Sequence, residues 1–479
     1  MKEDFPILGA CMLPHPPIIL PEVGNGEEKK IKATTEAFQK AADRIAVLHP
    51  DTLVISSPHT VMYSDYFHIS PGKGAHGDMG RFGARQVEMD VEYDSELAEV
   101  VAGLAEMEGI PAGGDGQRDP SLDHGVMVPL YFILPKYSEF KLLRVGLSGL
   151  PLSEHYRLGQ CITQALAQLG RRAFYVASGD LSHKQKEDGP YGLVPEGPQY
   201  DERIMRVMGN ADFDRLFDFD ESFCDKAAEC GHRSFVMMAG ALDGRRVEAE
   251  SLSHEATFGV GYGICLFRPQ EAAEERRFLK KREEKMLAQI AAANEKQDAY
   301  VRLARLSLES YVRDGIRLTD TLGAVKKVLE KEPEAESIKP QLMDRQAGAF
   351  VSLHKDGQLR GCIGTILPVR SCLAEELLRN AVSAATEDPR FSPVRPEELP
   401  FLEYSVDVLG EPEDIDGPEA LDVKRYGVIV SKGFRRGLLL PDLDGIDSVE
   451  EQIAIAKRKA GIGPEEEVSL QRFEVVRHH

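Results

Sequence analysis

Three histidines in this chain stand where an apolar, strand-like run stops. His15 follows residues 6–13 in Leu13-Pro-His-Pro-Pro17, and His59 follows residues 52–57 in Ser56-Ser57-Pro58-His59. His183 closes the run RAFYVASGDLSH, with Asp180 three residues before it. Parallel strands of open α/β sheets place their functional residues at their carboxyl ends. The prolines around His15 and before His59 stiffen the backbone without needing a helix. Taken singly, each histidine reads as an ordinary satisfied polar group. His15 and His59 together, at successive strand ends, read as donors to one metal ion on a single rim of a sheet.

A third ligand must come from elsewhere, and Glu229-Cys230-Gly231-His232 is the densest remaining group of ligand types. Two imidazoles and one carboxylate with open positions form the arrangement of non-haem Fe(II) oxygenases. A thiolate in that place favours zinc or copper, or iron of altered reactivity. Residues 226–242 read as one helix. One helical step turns about 100°, so Glu229 and Cys230 cannot point the same way, and both stay candidates. His124, in Asp123-His124-Gly125, has a glycine that permits close approach of backbone or ligand. A histidine near a metal-bound substrate moves protons near neutral pH. Asp180 either orients an imidazole or fixes a turn. His68, His76, His155 and His254 read as surface or loop residues, and Tyr63, Tyr66 and Phe67 as stacking partners for a substrate ring.

The elements that must position these groups follow from periodicity. Residues 1–268 alternate strand-like and helix-like stretches, which argues for an α/β domain. Strands fall at 6–13, 52–57, KLLRVGLSG and RRAFYVASGD. Helices fall at 28–48, SELAEVVAGLAEMEG and SEHYRLGQCITQALAQLG. Residues 61–92, rich in glycine, histidine and aromatics, read as a long loop forming a lid or substrate wall. Residues 269–296 interleave acidic and basic side chains at helical spacing, the mark of a solvated linker helix. Residues 297–479 mix strands and helices without regular alternation and read as α+β. There an Asp356-Gly357 pair signals a hairpin, and Gly461 sits at the C-cap of the helix QIAIAKRKAG. Cys362, in Leu359-Arg-Gly-Cys-Ile-Gly-Thr365, is either a nucleophile, with His354 as the sole candidate partner, or a small buried apolar group. The arginines of Asp388-Pro-Arg-Phe391 and Phe434-Arg-Arg-Gly-Leu438 bind a carboxylate or phosphate, or are ordinary surface charge.

The totals exclude several classes. A chain of 479 residues holds two or more domains. A net charge of −21 repels nucleic acid. There is no apolar stretch of about 18 residues for a membrane span, and the charged N-terminus lacks a signal core, so a cytoplasmic protein is expected. Seven scattered cysteines without a CxxC pair suit reduced thiols.

The motifs LPHPPI, SSPHT, LDHGVMVPL, GDLSH and ECGHRS–GALDG, in that order over about residues 6–268, resemble the LigB-type (class III) extradiol ring-cleaving dioxygenase superfamily. They also resemble its Memo branch, which keeps the fold without established ring cleavage. The resemblance implies His15 and His59 as metal ligands, His183 as catalytic acid/base, and His124 as a neighbouring histidine that contacts substrate or oxygen. Ring-cleaving members place Glu as third ligand and Memo-like members Cys before Gly; here Glu229 and Cys230 stand side by side. The dioxygenase reading implies Fe(II), a small catecholic aromatic and O2. Residues 297–475, through LRGCIGT, TEDPRFSPV, YSVDVLG, YGVIVSKGFRRGLLLP and QIAIAKRKAG, resemble the AMMECR domain. That pairing implies an AmmeMemoRadiSam system and a radical-SAM partner protein. An interaction protein with a vestigial pocket is the third reading, which five plausible site residues in one chain disfavour.

Overall fold

The structure, a computed structural model, describes residues 5–117, 119–330, 332–355, 357–443 and 445–479. Two compact units divide the chain, Met1–Arg282 and Glu283–His479.

The first unit has strands β1 (Ile7–Leu13), β2 (Thr52–Ser57), β3 (Phe67–His68), β4 (Gly74–Met79), β5 (Ala84–Glu92), β6 (Ala112–Gly113), β7 (Lys141–Gly146), β8 (Ala173–Ser178), β9 (Arg245–Glu255) and β10 (Tyr262–Ala272). Its helices are α1 (Pro21–Gly24), α2 (Lys32–Leu48), α3 (Ser95–Met107), α4 (His124–Ile133), α5 (Leu152–Leu169), α6 (Glu196–Gly209), α7 (Glu221–Ala227) and α8 (His232–Ala241); α9 (Phe278–Lys296) runs across the boundary.

A six-stranded sheet in the order β7-β2-β8-β1-β10-β9 forms the middle layer. Its first four strands are parallel, and β10 and β9 return antiparallel. In β2 and β8 every residue is buried, as expected of strands covered on both faces. One core cluster gathers α3, α5 and α8 on one face, and a second gathers α2 and α4 on the other. The N-terminal domain is thus the mixed α/β layout expected.

Three local readings change. Residues 61–92 are not an open loop, because β4 and β5 pair as an antiparallel hairpin with a 3₁₀ turn at Gly80–Phe82. Its glycines and exposed polar residues hid the period-two pattern of a strand. Residues 226–242 are not one helix. Ala228 adopts a left-handed φ of 53° that ends α7, and α8 starts anew at His232. Residues 269–272, read as linker, are the end of β10, and α9 is the charged helix that follows.

The second unit carries α10 (Ala299–Asp314), α11 (Thr321–Leu329), α12 (Ala335–Met343), α13 (Leu373–Thr386) and α14 (Val449–Lys459). Its strands are β11 (Ala349–Lys355), β12 (Gln358–Gly364), β13 (Glu403–Leu409), β14 (Glu413–Ile415), β15 (Gly427–Lys432), β16 (Arg435–Leu439), β17 (Ser469–Phe473) and β18 (Val475–His478). They form two four-stranded sheets, β12-β11-β13-β18 and β14-β17-β15-β16, the α+β layout expected. In the hairpin signal, Asp356 lies outside the described residues, while Lys355 pairs with Gln358 and Gly357 has a φ of 74°. Gly461 follows α14 with a φ of 63°, one residue beyond the C-cap Ala460.

Candidate metal centre

The site lies where β2, β8 and β1, three neighbouring parallel strands, run out at their carboxyl ends. Leu13 pairs with Ser178 across β1 and β8, so the turns that follow leave the sheet side by side. His15 is buried, and its backbone N donates to Asp180 Oδ1 at 2.7 Å. Asp180 thereby fixes the backbone that presents His15, and its Oδ2 also lies 3.9 Å from His183 Nε2.

The tautomer of His15 follows from its neighbour. Ser178 Oγ is 2.9 Å from His15 Nδ1 and donates its one hydrogen to the Gly125 carbonyl at 2.5 Å. Ser178 must therefore accept from Nδ1–H, which leaves Nε2 bare. This is the second hydrogen bond that metal-binding imidazoles commonly make. The bare Nε2 faces His59 Nε2 at 2.9 Å and Cys230 Sγ at 3.6 Å. Two donors bonded to one ion at about 2.1 Å (nitrogen) and 2.3 Å (sulfur) stand about 3.0–3.6 Å apart, depending on the angle.

His124 completes the group. Candidate ligand atoms of His15, His59 and His124 all lie within 4.8 Å of one another. The rings of His59 and His124 are 4.0 Å apart at 32°, and His124 meets His15 edge-on at 5.3 Å. His124 is the first residue of α4, capped by the Asp123 carboxylate through Val126 N. Gly125 is required here: a Cβ would stand 2.4 Å from Ser57 Oγ and 2.9 Å from Asp123 Oδ1.

Burial, and then the neighbouring imidazoles, hold this cluster uncharged. His15 lies well below the usual histidine range and His124 falls to about 3. His59 is also lowered by burial, partly offset by Asp123 and Asp180. Neutral imidazoles turned towards one point suit a cation. Burial also pushes the Cys230 thiol well up, with Asp180 and Glu229 adding to it; a bound cation would reverse that balance.

Glu229 and Cys230 part company in the turn after Ala228. Cys230 faces His15, and its Sγ also accepts from Asp180 N at 3.2 Å. Glu229 turns to the start of α8, where Oε2 accepts from His232 N at 2.6 Å. In that place the carboxylate answers free amides of a helix N-terminus.

His183 stands at the mouth, stacked on Tyr191 at 5.3 Å, with a quarter of its side chain (24%) exposed. Phe82, on the 3₁₀ turn between β4 and β5, meets His124 at 5.2 Å. These two exposed rings lie against histidines of the site, contacts that the sequence did not indicate. The expected ones lie elsewhere: Phe67 is fully buried against His155, Tyr63 donates to the Gly116 carbonyl, and Tyr66 accepts from Asp115 N. Exposure of an aromatic next to a histidine carries no sequence signal when the two are 42 positions apart. His68 and His155 are buried, not at the surface, and His254 pairs with the buried Asp201 at 2.8 Å.

In the second unit the glycines of LRGCIGT serve packing. A Cβ on Gly361 would meet the Ala384 carbonyl at 2.2 Å, and one on Gly364 would meet the Phe350 ring at 2.3 Å. Cys362 Sγ accepts from Ser352 Oγ at 3.2 Å, and its backbone N donates to Asp388 Oδ2 at 2.9 Å. Arg390 is held by Asp388 at 2.7 Å, and Arg435 by Glu466 at 2.8 Å.

Comparison with known proteins follows the same division. Residues 9–265 match the family described as the catalytic LigB subunit of aromatic ring-opening dioxygenase, and residues 301–478 match AMMECR1. A protein of Clostridium acetobutylicum is 40% identical over 477 residues, covering 98% of each chain. A protein of Thermotoga maritima is 52% identical over 182 residues, 37% of this chain and 96% of its own. A crystal structure of an uncharacterised Pyrococcus horikoshii protein shares 34% identity, covering 38% of this chain and 90% of its own, with a TM-score of 0.32.

Proposed function

Because this chain belongs to the family described as the catalytic LigB subunit of aromatic ring-opening dioxygenase, and carries an AMMECR1 domain in the same polypeptide, we propose that its N-terminal unit is a transition-metal module. His15, His59 and His124 hold the ion, and Cys230 supplies a sulfur donor. The observation that carries this reading is Cys230 Sγ at 3.6 Å from His15 Nε2, with Glu229 turned away to cap α8.

This donor set departs from the two-histidine, one-carboxylate arrangement of iron oxygenases. The module accordingly acts as a Memo-like centre, and works with the AMMECR1 domain and a radical-SAM partner in modifying a protein or metabolite. The motif resemblance supports that partnership. Iron, zinc and copper all accept imidazole and thiolate donors. When bound, the metal supplies Lewis acidity to an oxygen of the substrate. The protein's own groups do the rest. Ser178 holds His15 in the donor tautomer, and Phe82 and Tyr191 flank the entrance. His183, with Asp180 beside it, gives or takes a proton at Nε2.

Ring cleavage of a catechol with O2 at Fe(II) is the second reading, favoured by the family description and by His183 at the mouth. Metal analysis of protein purified without chelators tests the first reading, with about one ion per chain expected and none in His15→Ala. Anaerobic Fe(II) loading followed by catechol and air separates the two. Oxygen uptake with a rising yellow absorbance selects ring cleavage, and a bound metal without either selects the Memo-like module.

A further inference from the structure

We propose that Arg144 and Asp123, a buried ion pair behind the histidines, are the positioning residues of the metal centre. The pair sets the His59 turn and the His124 helix start at once. This proposal rests on the metal-module reading given above.

Arg144 lies on β7 opposite Ile55 of β2, and its side chain is 3% exposed. Its Nη2 donates to Asp123 Oδ2 at 2.8 Å. The same oxygen accepts from Thr60 Oγ1 at 2.9 Å, and Asp123 Oδ1 accepts from Ser57 Oγ at 2.7 Å and from Val126 N at 3.2 Å. Apart from Arg144, every partner of this carboxylate sits on a segment that carries a ligand. Ser57 and Thr60 bracket His59, and Ser57 Oγ also accepts from His59 N at 3.2 Å. Val126 is two residues into the helix that His124 opens. Arg144 adds Nε to Thr60 Oγ1 at 3.2 Å and Nη1 to Tyr93 OH at 3.3 Å.

One carboxylate therefore fixes two imidazoles from chain positions 65 residues apart, and one guanidinium keeps that carboxylate aimed. A buried pair that is fully hydrogen-bonded defines one geometry, and removing one partner leaves the other's charge uncompensated. Thr60 Oγ1 touches both members, so it is the atom through which the pair can be loosened without emptying a charge site.

Co(II) titration of the full chain, followed by visible and near-ultraviolet absorption, tests the proposal. Wild type is expected to bind one Co(II) with a sulfur-to-cobalt band. Arg144→Met and Thr60→Val are expected to bind it about 10–100-fold more weakly with an altered ligand-field spectrum, and Thr60→Ser, which keeps the hydroxyl, to restore both. If Arg144→Met does not fold, the two Thr60 variants decide alone, because Thr60→Val removes one hydroxyl and no charge. Folded Thr60→Val with wild-type affinity and spectrum would overturn the positioning role while leaving the metal reading intact. Wild-type protein that takes up no Co(II) would overturn the metal reading, and this proposal with it.

Discussion

His15 Nε2 and His59 Nε2 face each other at 2.9 Å in a setting that keeps both rings uncharged. Ser178 has already fixed the proton of His15 on Nδ1. A bare nitrogen there meets a proton carried by His59, the thiol hydrogen of Cys230, or a cation. The proposed cation is the partner that would answer the three imidazoles together, whose ligand atoms lie within 4.8 Å of one another.

Ser178→Ala removes the acceptor that selects the His15 tautomer. Metal affinity is expected to fall about 10–100-fold, and the metal-free protein to lose about 1–3 kcal/mol, because the buried His15 Nδ1 and Gly125 carbonyl are left without their partner. Isothermal titration with Zn(II) measures the affinity. Unchanged affinity would mean that Ser178 does not orient His15.

Glu229 makes metal-free stability depend on pH. Burial raises its carboxyl from 4.5 to about 7, so the folded state holds its proton longer than the unfolded chain does. Stability is then full below about pH 4.5 and is lost as pH rises through about 7, by roughly 3 kcal/mol at most. Denaturant unfolding at pH 5 and pH 8 should show the stability difference between wild type and Glu229→Gln shrinking by this amount, while the buried uncharged histidines make both proteins gain stability over the same interval. The same variant should keep its metal, because Glu229 caps α8. Metal lost from Glu229→Gln would return the carboxylate to the ligand set.

Packing between α5 and α8 holds the Cys230 turn in place. A Cβ on Gly240 would stand 2.0 Å from the Tyr156 carbonyl, a contact that backbone cannot yield. Gly240→Ala is expected to cost about 1–3 kcal/mol by overpacking and to weaken metal binding, since α8 begins two residues after Cys230. Thermal unfolding and metal content measure the two effects. A variant as stable as the wild type would show that the helices can separate freely.

Much of this arrangement is legible from the chain alone. The apolar run Leu53–Ile55 and the stop at Pro58-His59 place β2 over Thr52–Ser57, because a strand buried on both faces has an apolar middle and Pro58 cannot continue its ladder. The ends of β1 and β8 were readable on the same grounds, and with them His15 and His183. The split between α7 and α8 was not, since a left-handed alanine at position 228 has no compositional mark. That break decides which of Glu229 and Cys230 faces the histidines. Arg144 was equally hidden: a single arginine in an apolar strand signals a buried partner only once the Asp123 carboxylate is seen beside it.

X-ray absorption of the metal-loaded protein tests the central claim most directly. The account predicts imidazole nitrogens together with one sulfur at about 2.3 Å, the sulfur lost in Cys230→Ser and kept in Glu229→Gln. A wild-type shell of nitrogen and oxygen alone, altered by Glu229→Gln and untouched by Cys230→Ser, would contradict it.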